Sequence, residues 1–234
     1  MLLLDAEQRA GATRLVRVYY EGTARSSRAF DDGIGTRVIV STLGPGSLGG
    51  DRLQIVGQVG AGAHLIVESQ SATKIYGPGT SKCFAHWTVA EGATLELRTE
   101  PLLLFGTACY EGRTEIELAP TARISMLECI AQAENAPARA RLITTIRRGE
   151  RLALRDAIAL DTERLQCSAV GTFVGFGGEL RVADADDNSV RIGTGSTLQG
   201  GLFLRAIGRR VWDVRARLAS AYSLPQVLPF CDIK

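Results

Sequence analysis

A segment of about thirty residues recurs along this chain, and it constrains the possible folds more than any other feature. Each copy is a turn of small residues followed by an apolar strand that ends in polar residues. The copies read V-G-A-G-A-H-L-I-V-E-S-Q (59–70), V-A-E-G-A-T-L-E-L-R-T-E (89–100) and, more faintly, L-A-P-T-A-R-I-S-M-L-E-C (118–129). Their matched alanines, Ala63, Ala93 and Ala122, are spaced 30 and then 29 residues apart, and a weaker copy at 33–42 fits at an offset of 27. Units of near-constant length that each expose one apolar face stack on one another, as in a solenoid or a two-layered β assembly.

Shorter runs between and after these copies alternate apolar and polar residues, which is typical of half-buried strands. They lie at 51–59, 83–89, 113–118, 151–160, 169–177 and 189–195. The sequence therefore predicts a mainly β protein: a single domain over 1–234 with a β-helix-like or stacked two-layer β fold and a repeat core over about 33–130.

One or two helices are expected beside these strands. The clearer one is predicted near the C-terminus, over about 209–223, because apolar residues recur there at spacings of three and four with arginines between them. A second, shorter helix is compatible with 131–141, where Pro137 interrupts the pattern.

Composition excludes several classes of function. The chain has 234 residues, 45% of them hydrophobic and 22% charged, and a net charge of +2, so we expect an ordinary folded domain that does not bind nucleic acid. The arginines of 205–217 fit the solvated face of a helix. The five cysteines are scattered and form no C-x-x-C pair, which favours reduced thiols. We find neither a signal peptide nor a run long enough to cross a membrane, and we expect a cytoplasmic protein.

The string G-P-G-S-L-G-G-D-R (44–52) has the glycine spacing of a phosphate-binding loop. The residues that should be lysine and serine or threonine are Gly50 and Asp51, so a nucleotide site is excluded. The glycines then serve a turn between strands, and Asp51 either shapes that turn or lines a polar site. His64 and His86 fall within strands, where ordinary strand positions are favoured over metal ligands, and no motif indicates catalysis.

The most unusual stretch is S-Q-S-A-T-K (69–74), six residues that hydrogen-bond but pack poorly. In a strand, alternate residues share a face, so Ser69, Ser71 and Thr73 would form a row of hydroxyls opposite Gln70 and Lys74. If that row is buried, it requires hydrogen-bond partners or water. Either the hydroxyls satisfy strand backbones while Lys74 points to solvent, or the row borders a water-filled passage or a polar interface.

Several of these strings together resemble the UreD (UreH) family of urease accessory proteins. The resemblance covers residues 21 to about 208 and rests on four strings: G-P-G-S-L-G-G-D-R-L, V-G-A-G-A-H-L-I-V-E-S-Q-S-A-T-K-I-Y, E-G-A-T-L-E-L-R-T-E-P-L-L-L-F and G-L-F-L-R-A-I-G. Two segments depart from the family pattern. The stretch after Cys129 is shortened and lacks G-R-x-A-x-G-E, which bears on the partner surface, and the tail L-P-F-C-D-I-K replaces L-P-R-x-W.

This resemblance implies a maturation factor that is not an enzyme, with a β-helix-like stack and a couple of helices. It implies a helical partner (UreF-like), through it a nickel-carrying GTPase (UreG-like), and apo-urease. The assembly would help to load nickel, with a polar passage proposed to conduct the ion; we expect transient nickel, no tightly bound cofactor and no defined metal site. The site residues carried over from the motif are Asp51, Gln70, Ser71, Thr73, Lys74 and Tyr76, with Glu100 added from the second repeat.

A different class of function is also compatible with the strand pattern. A β-solenoid hydrolase acting in a groove would use two carboxylates, for which Asp51 and Glu100 are the candidates. A structural β domain without a ligand is the third hypothesis.

Overall fold

The computed structural model describes residues 1–31, 33–133, 137–161, 169–177, 190–197 and 199–220. Over these residues the chain forms eighteen strands and one helix. The elements are β1 (Leu2–Arg9), β2 (Ala12–Tyr20), β3 (Ala24–Ser26), β4 (Phe30–Asp31), β5 (Thr36–Thr42), β6 (Arg52–Val59), β7 (His64–Ser69), β8 (Thr73–Tyr76), β9 (Thr80–Val89), β10 (Thr94–Arg98), β11 (Leu102–Phe105), β12 (Cys109–Leu118), β13 (Arg123–Gln132), β14 (Arg139–Arg148), β15 (Arg151–Asp161), β16 (Ala169–Phe176), β17 (Val190–Ser196), β18 (Gly201–Gly208) and α1 (Val211–Ser220).

Two sheets carry the fold. The first, which we call sheet A, has seven strands in the order β15-β14-β12-β9-β6-β1-β2. The second, sheet B, follows the path β17-β18-β16-β13-β10-β7-β5-β3, and the short strands β4, β8 and β11 join it beside this path. The central pairs β6–β9–β12–β14 and β5–β7–β10–β13 are parallel, as in a β-helix, whereas the strands added at the edges are mostly antiparallel. The mainly β, stacked fold predicted from the repeat is confirmed.

The thirty-residue repeat corresponds to one turn of the coil. Thr94 pairs with His64 on one side and with Arg123 on the other, so the alanines that precede these residues stack at the offsets read from the sequence. The weaker copy at 33–42 was predicted to lie 27 residues before the matching positions of the next copy. In the structure Thr36 pairs with Leu65, so the offset between these two copies is 29. Stacked turns precede the strands, and Gly62 adopts a φ of +70°, a left-handed conformation that glycine accepts without steric cost.

The C-terminal helix is confirmed over Val211–Ser220, within the predicted range, and residues 221–223 lie outside the described part of the chain. Val211, Val214 and Leu218 are buried on its inner face against sheet B. The second helix suggested at 131–141 is wrong at both ends, since Gln132 ends β13 and Arg139 begins β14; 134–136 are outside the described residues. Here sheet pairing outweighs the helix-forming alanines: Cys109 pairs with Arg139, and Ala138 and Ala140 are buried.

The space between the sheets contains two apolar clusters. The larger one includes Leu4, Leu65, Trp87, Leu95 and Ile116. The other includes Ile75, Leu104, Ile130, Leu142 and Leu160, where β8 and β11 close one side of the coil. A third cluster lies on the outer face of sheet B beneath α1. Within the described residues, no helix is both long enough and apolar enough to span a lipid bilayer.

Candidate functional site

A layer of polar side chains crosses the interior between the two apolar clusters. On sheet B, Glu128 pairs with Thr172 and Thr172 pairs with Arg205, so these residues form one row across three strands. Ser69 and Thr99 extend the row at the ends of β7 and β10, and Thr99 Oγ1 donates a hydrogen bond of 2.6 Å to the carbonyl oxygen of Leu127. The row therefore places one carboxylate, one guanidinium and several hydroxyls where a β-helix usually has aliphatic residues.

Sheet A contributes a matching row. Ala85 pairs with Thr114, Thr114 with Thr144, and Thr144 with Asp156. Thr144 is buried, with 4% of its surface exposed. Because neighbouring inward positions on the same strands are apolar, such as Ile116 and Ile146, the polar rows are confined to a band rather than spread over the core.

An ion pair joins the two rows. Nη2 of Arg205 on β18 lies 2.5 Å from both Oδ1 and Oδ2 of Asp156 on β15. Beside it, two buried polar atoms, Thr172 Oγ1 and Arg205 Nε, lack a hydrogen-bond partner among the described residues. Buried polar atoms are normally satisfied, so this band has hydrogen-bonding capacity for water or for a polar guest.

A cavity of about 210 Å³ opens along this band. Its walls come from both sheets, with Ala85, Tyr110 and Thr114 on sheet A and Ser69 and Glu128 on sheet B. The volume is large enough for several water molecules. Exposed lining residues in the loop after β7 mark where the cavity reaches the surface.

Glu128 is the carboxylate deepest in the polar band, where it borders the cavity. The pKa of Glu128 is raised from 4.5 to about 7, chiefly by burial and also by the negative charge of Asp156, while the guanidinium of Arg205 opposes the rise. The side chain is enclosed by protein yet borders the cavity, so it keeps contact with the enclosed space. A carboxyl group with this pKa exchanges its proton near neutral pH, and a cation in the cavity would favour the ionised form.

Cys83 and Tyr110 lie on the opposite wall and are joined by a side-chain hydrogen bond. Burial raises the pKa of the Cys83 thiol to about 11, and burial also raises the pKa of Tyr110 well above its ordinary value. Both groups are therefore protonated at neutral pH, and the thiol does not offer the thiolate that binds soft metals strongly.

Four of the seven residues predicted from the sequence line this cavity. Gln70 and Ser71 are exposed at its opening, and Thr73 is half-buried beside them. Glu100 also lines it, and its Oε1 accepts a hydrogen bond of 2.7 Å from Nη2 of Arg215 on α1. We call these four residues the cavity opening.

The other three predicted residues have different surroundings. Asp51 is exposed outside the cavity lining, and its Oδ2 accepts a hydrogen bond of 2.8 Å from the backbone N–H of Leu48, which fixes the glycine-rich turn. Lys74 is exposed, and Tyr76 packs against Phe105 with ring centroids 5.0 Å apart. Asp51 and Glu100, the pair considered for hydrolysis, do not share the cavity.

The described residues contain no cluster of three or more His, Cys, Asp and Glu side chains arranged to hold a metal ion. His64 Nε2 lies 2.7 Å from Glu96 Oε1 on the outer face of sheet B, and His86 Nδ1 lies 3.9 Å from Glu115 Oε2 on sheet A. Cys83, Cys109 and Cys129 are unpaired thiols, while Cys167 and Cys231 fall outside the described part of the chain.

The arginines of 205–217 do not all serve a solvated helix face. Arg205 lies on β18, and Arg215 reaches the cavity opening from α1. Glu128 and Asp156 were not among the residues predicted from the sequence. A signal for Glu128 was present, because period-two alternation places it on the same face as Met126 and Ile130, and a charged residue at a core position indicates a polar site.

Comparison with known proteins decides the family. The sequence model described as UreD urease accessory protein matches residues 1–228. The chain belongs to the UreD family. A UreD protein of Cereibacter sphaeroides (strain ATCC 17025 / ATH 2.4.3) is 27% identical over 233 residues, which cover 89% of this chain and 84% of that protein.

Other UreD relatives align over shorter segments. The UreD protein of Rhodopseudomonas palustris (strain BisA53) is 30% identical over 67% of this chain and 58% of the relative. That of Arthrobacter sp. (strain FB24) is 35% identical over 51% of this chain and 39% of the relative. The chain is thus a UreD-type urease accessory protein with a role in urease maturation, and this is a family of accessory proteins rather than of enzymes.

Proposed function

We propose that this protein is a scaffold for urease maturation and that nickel ions destined for the urease active site pass through its polar cavity. Its partners would be apo-urease, a helical UreF-like accessory protein and a UreG-like GTPase that brings nickel, acting together in the cytoplasm. Family membership supports the partners. The single observation that supports the route is the polar band, in which the enclosed carboxylate of Glu128 borders a cavity between two apolar clusters.

The ligand chemistry of the cavity suits a cation in transit. Its polar groups include the hydroxyls of Ser69, Thr99 and Thr114, the protonated thiol of Cys83, and the carboxylates of Glu128 and of Glu100, the latter paired with Arg215. Imidazole and thiolate ligands hold nickel strongly, whereas isolated oxygen ligands hold it weakly and release it. We therefore propose passage without a resident cofactor or a tight metal site.

Glu128 would be the principal stopping point along the route. A divalent ion in the cavity compensates the cost of burying its carboxylate, so the ion would displace the proton that Glu128 holds near neutral pH. Once the ion leaves, the carboxyl takes up a proton again. The site would thus alternate between a bound proton and a bound cation, which prevents an uncompensated charge in the interior.

The test is urease activation in a heterologous host that carries a urease operon in which this gene is deleted or restored. Two variants probe the route: Glu128→Gln removes the carboxylate, and Ala85→Leu fills part of the cavity. The matched control is Glu117→Gln, since Glu117 is exposed on β12 of the same sheet as Ala85. Urease activity, nickel per urease and co-purification of the accessory partners are measured for each strain.

We expect that deletion abolishes activation and that both cavity variants assemble the accessory complex but load at least tenfold less nickel, while the control behaves like the wild type. Normal nickel loading by both cavity variants would exclude the passage and leave a scaffold role. If deletion leaves activation unchanged, the maturation role itself is wrong.

A further inference from the structure

The outer strand of sheet A is an open edge. β2 pairs with β1 on one side, and no described strand pairs with it on the other. Backbone N–H and C=O groups alternate in direction along a strand, so an edge strand presents a row of unpaired groups to solvent. Its last three residues also expose large side chains: Val18 is 41% exposed, and Tyr19 and Tyr20 are each 47% exposed.

The two sheets separate beside this edge. At its beginning, β2 is tied to sheet B, because the carbonyl oxygen of Thr13 accepts a hydrogen bond of 2.7 Å from Thr36 Oγ1, and Thr13 Oγ1 accepts one of 2.8 Å from the backbone N–H of His64. Further along, a groove of about 470 Å³ opens between β2 and the segment 26–31. Its walls include Leu15, Val18, Tyr20 and the 43% exposed Phe30, and we call it the edge groove.

Charge around the edge groove is biased towards arginine. Arg14 and Arg28 line it, and neither forms an ion pair with another described residue. Arg25 stacks over the ring of Tyr20 at 4.7 Å from its centroid. Asp31, the one acidic residue among the described residues of the lining, accepts a hydrogen bond from the backbone N–H of Gly33 and so belongs to its own turn.

We infer that the edge groove is a docking site for an extended, acidic segment of a partner protein, which adds as a further strand to β2. Strand addition to an exposed edge supplies backbone hydrogen bonds, and the side chains of alternate residues enter the groove. Apolar residues of the segment would contact Val18, Tyr20 and Phe30, and its carboxylates would pair with Arg14 and Arg28. This site is separate from the polar cavity.

Self-association through the same edge is disfavoured by charge. A second copy that paired through its own β2 would bring a strand with two arginines and no carboxylate to a groove lined by Arg14 and Arg28, so positive charge would meet positive charge. An acidic strand removes this repulsion, which is why the occupant is assigned to another protein.

The experiment uses the full chain and labelled ten-residue peptides as probes. One peptide alternates valine with glutamate, and the other alternates valine with lysine. Fluorescence anisotropy gives the affinities, and hydrogen exchange gives the location of binding. We expect the acidic peptide to bind at least tenfold more tightly than the basic one and to slow exchange of the backbone amides of Ala12–Tyr20.

Matched variants on the two edges of sheet A test the contacts. Arg28→Glu should weaken the acidic peptide about tenfold and strengthen the basic one, an exchange of preference that misfolding does not produce. Val18→Ser should weaken both peptides. The controls are Arg155→Glu and Leu152→Ser on β15, the opposite edge of sheet A, where Leu152 is 45% exposed. Both controls should leave the affinities of the two peptides unchanged.

Three results would overturn the inference. The first is an acidic peptide that fails to bind or that protects amides outside β2. The second is equal binding of both peptides. The third is a free chain that dimerises in sedimentation experiments and becomes monomeric on Val18→Ser, since this edge would then be an interface between copies.

Discussion

Arg205 on β18 donates from a single nitrogen, Nη2, to both carboxylate oxygens of Asp156 on β15, and both distances are 2.5 Å. The two residues belong to different sheets and are 49 positions apart in sequence. Their pair closes one end of the polar band, and both charges act on the pKa of Glu128. The same contact therefore connects the packing of the sheets with the electrostatics of the cavity.

Removal of Arg205 should destabilise the fold because Asp156, 15% exposed, would keep its charge without a partner. We expect Arg205→Met to lower the free energy of unfolding by about 3 kcal/mol, the lower end of the penalty for breaking a buried pair. Urea denaturation at pH 7 measures it. Arg155→Met on the same strand as Asp156 is the control, and an equal loss in both variants would contradict an ion pair that stabilises the sheets.

Glu128→Gln should stabilise the protein at high pH only. Because the pKa of Glu128 is about 7 in the fold and 4.5 ordinarily, ionisation of this group opposes folding; the penalty is absent below about pH 4.5, grows between the two values and is complete above pH 7. The difference between these two pKa values corresponds to about 3 kcal/mol of folding free energy. This is an upper limit, because the side chain borders the cavity. Urea denaturation at pH 8.5 and pH 4.5 should show a gain only at the higher pH, and Glu117→Gln should show none. A gain of equal size at both pH values would indicate that burial of the charge is not its cause.

Glu96→Gln should have the opposite pH dependence. Burial would raise the pKa of Glu96, but the hydrogen bond to His64 and the charge of Arg98 outweigh it, so the pKa is lowered from 4.5. Stability from this group is present above pH 4.5 and is lost as the pH falls through the lowered value. We expect a loss of about 2 kcal/mol at pH 7, typical of hydrogen bonds to a charged group, and a smaller loss at pH 3.5. Glu150→Gln, at an exposed turn, is the control; an undiminished loss at pH 3.5 would mean that packing rather than charge is responsible.

Gly57→Ala tests the packing of the larger apolar cluster. A Cβ atom at Gly57 would lie 2.0 Å from Cζ3 of the buried Trp87, so the indole ring must move. We expect a loss of about 3 kcal/mol, the upper range for overpacking. Gly193→Ala is the matched control on β17, where nothing lies within 4 Å of the added atom, and we expect a change below about 1 kcal/mol there. Thermal denaturation compares the two, and similar midpoints would show that the ring yields easily.

The repeat and the period-two runs predicted most strands, because each depends on residues near in sequence. The parallel pairing of β1 with β6 was not predictable, since it joins Leu2 to Ile55 although four strands, β2 to β5, lie between them in the chain. Ser69, Ser71 and Thr73 were expected to share one face of a strand, but β7 ends at Ser69 and β8 begins at Thr73, so a turn brings Ser71 and Thr73 to the cavity lining. Asp51 was not separable from a turn residue by sequence alone, because its partner is a backbone N–H three positions earlier.

Glu128, Asp156 and Arg205 illustrate the other limit of prediction. They come from three strands, and each looks like an ordinary charged residue within its own segment. Only the strand register within sheet B and the packing of sheet A against it bring them together. The alternation of inward and outward residues along β13 identifies Glu128 as a charged residue at a core position. It does not show that Asp156 and Arg205 lie beside it.

The uniform stacking of Ala63, Ala93 and Ala122 restricts how such a chain can change in length during evolution. A single deletion inside β9 would exchange inward and outward residues over the rest of that strand, and Trp87 would be turned towards solvent. Gain or loss of a complete thirty-residue unit would leave the inward and outward positions of every remaining strand unchanged. Insertions and deletions among relatives should therefore concentrate in the connecting turns or occur as whole coils.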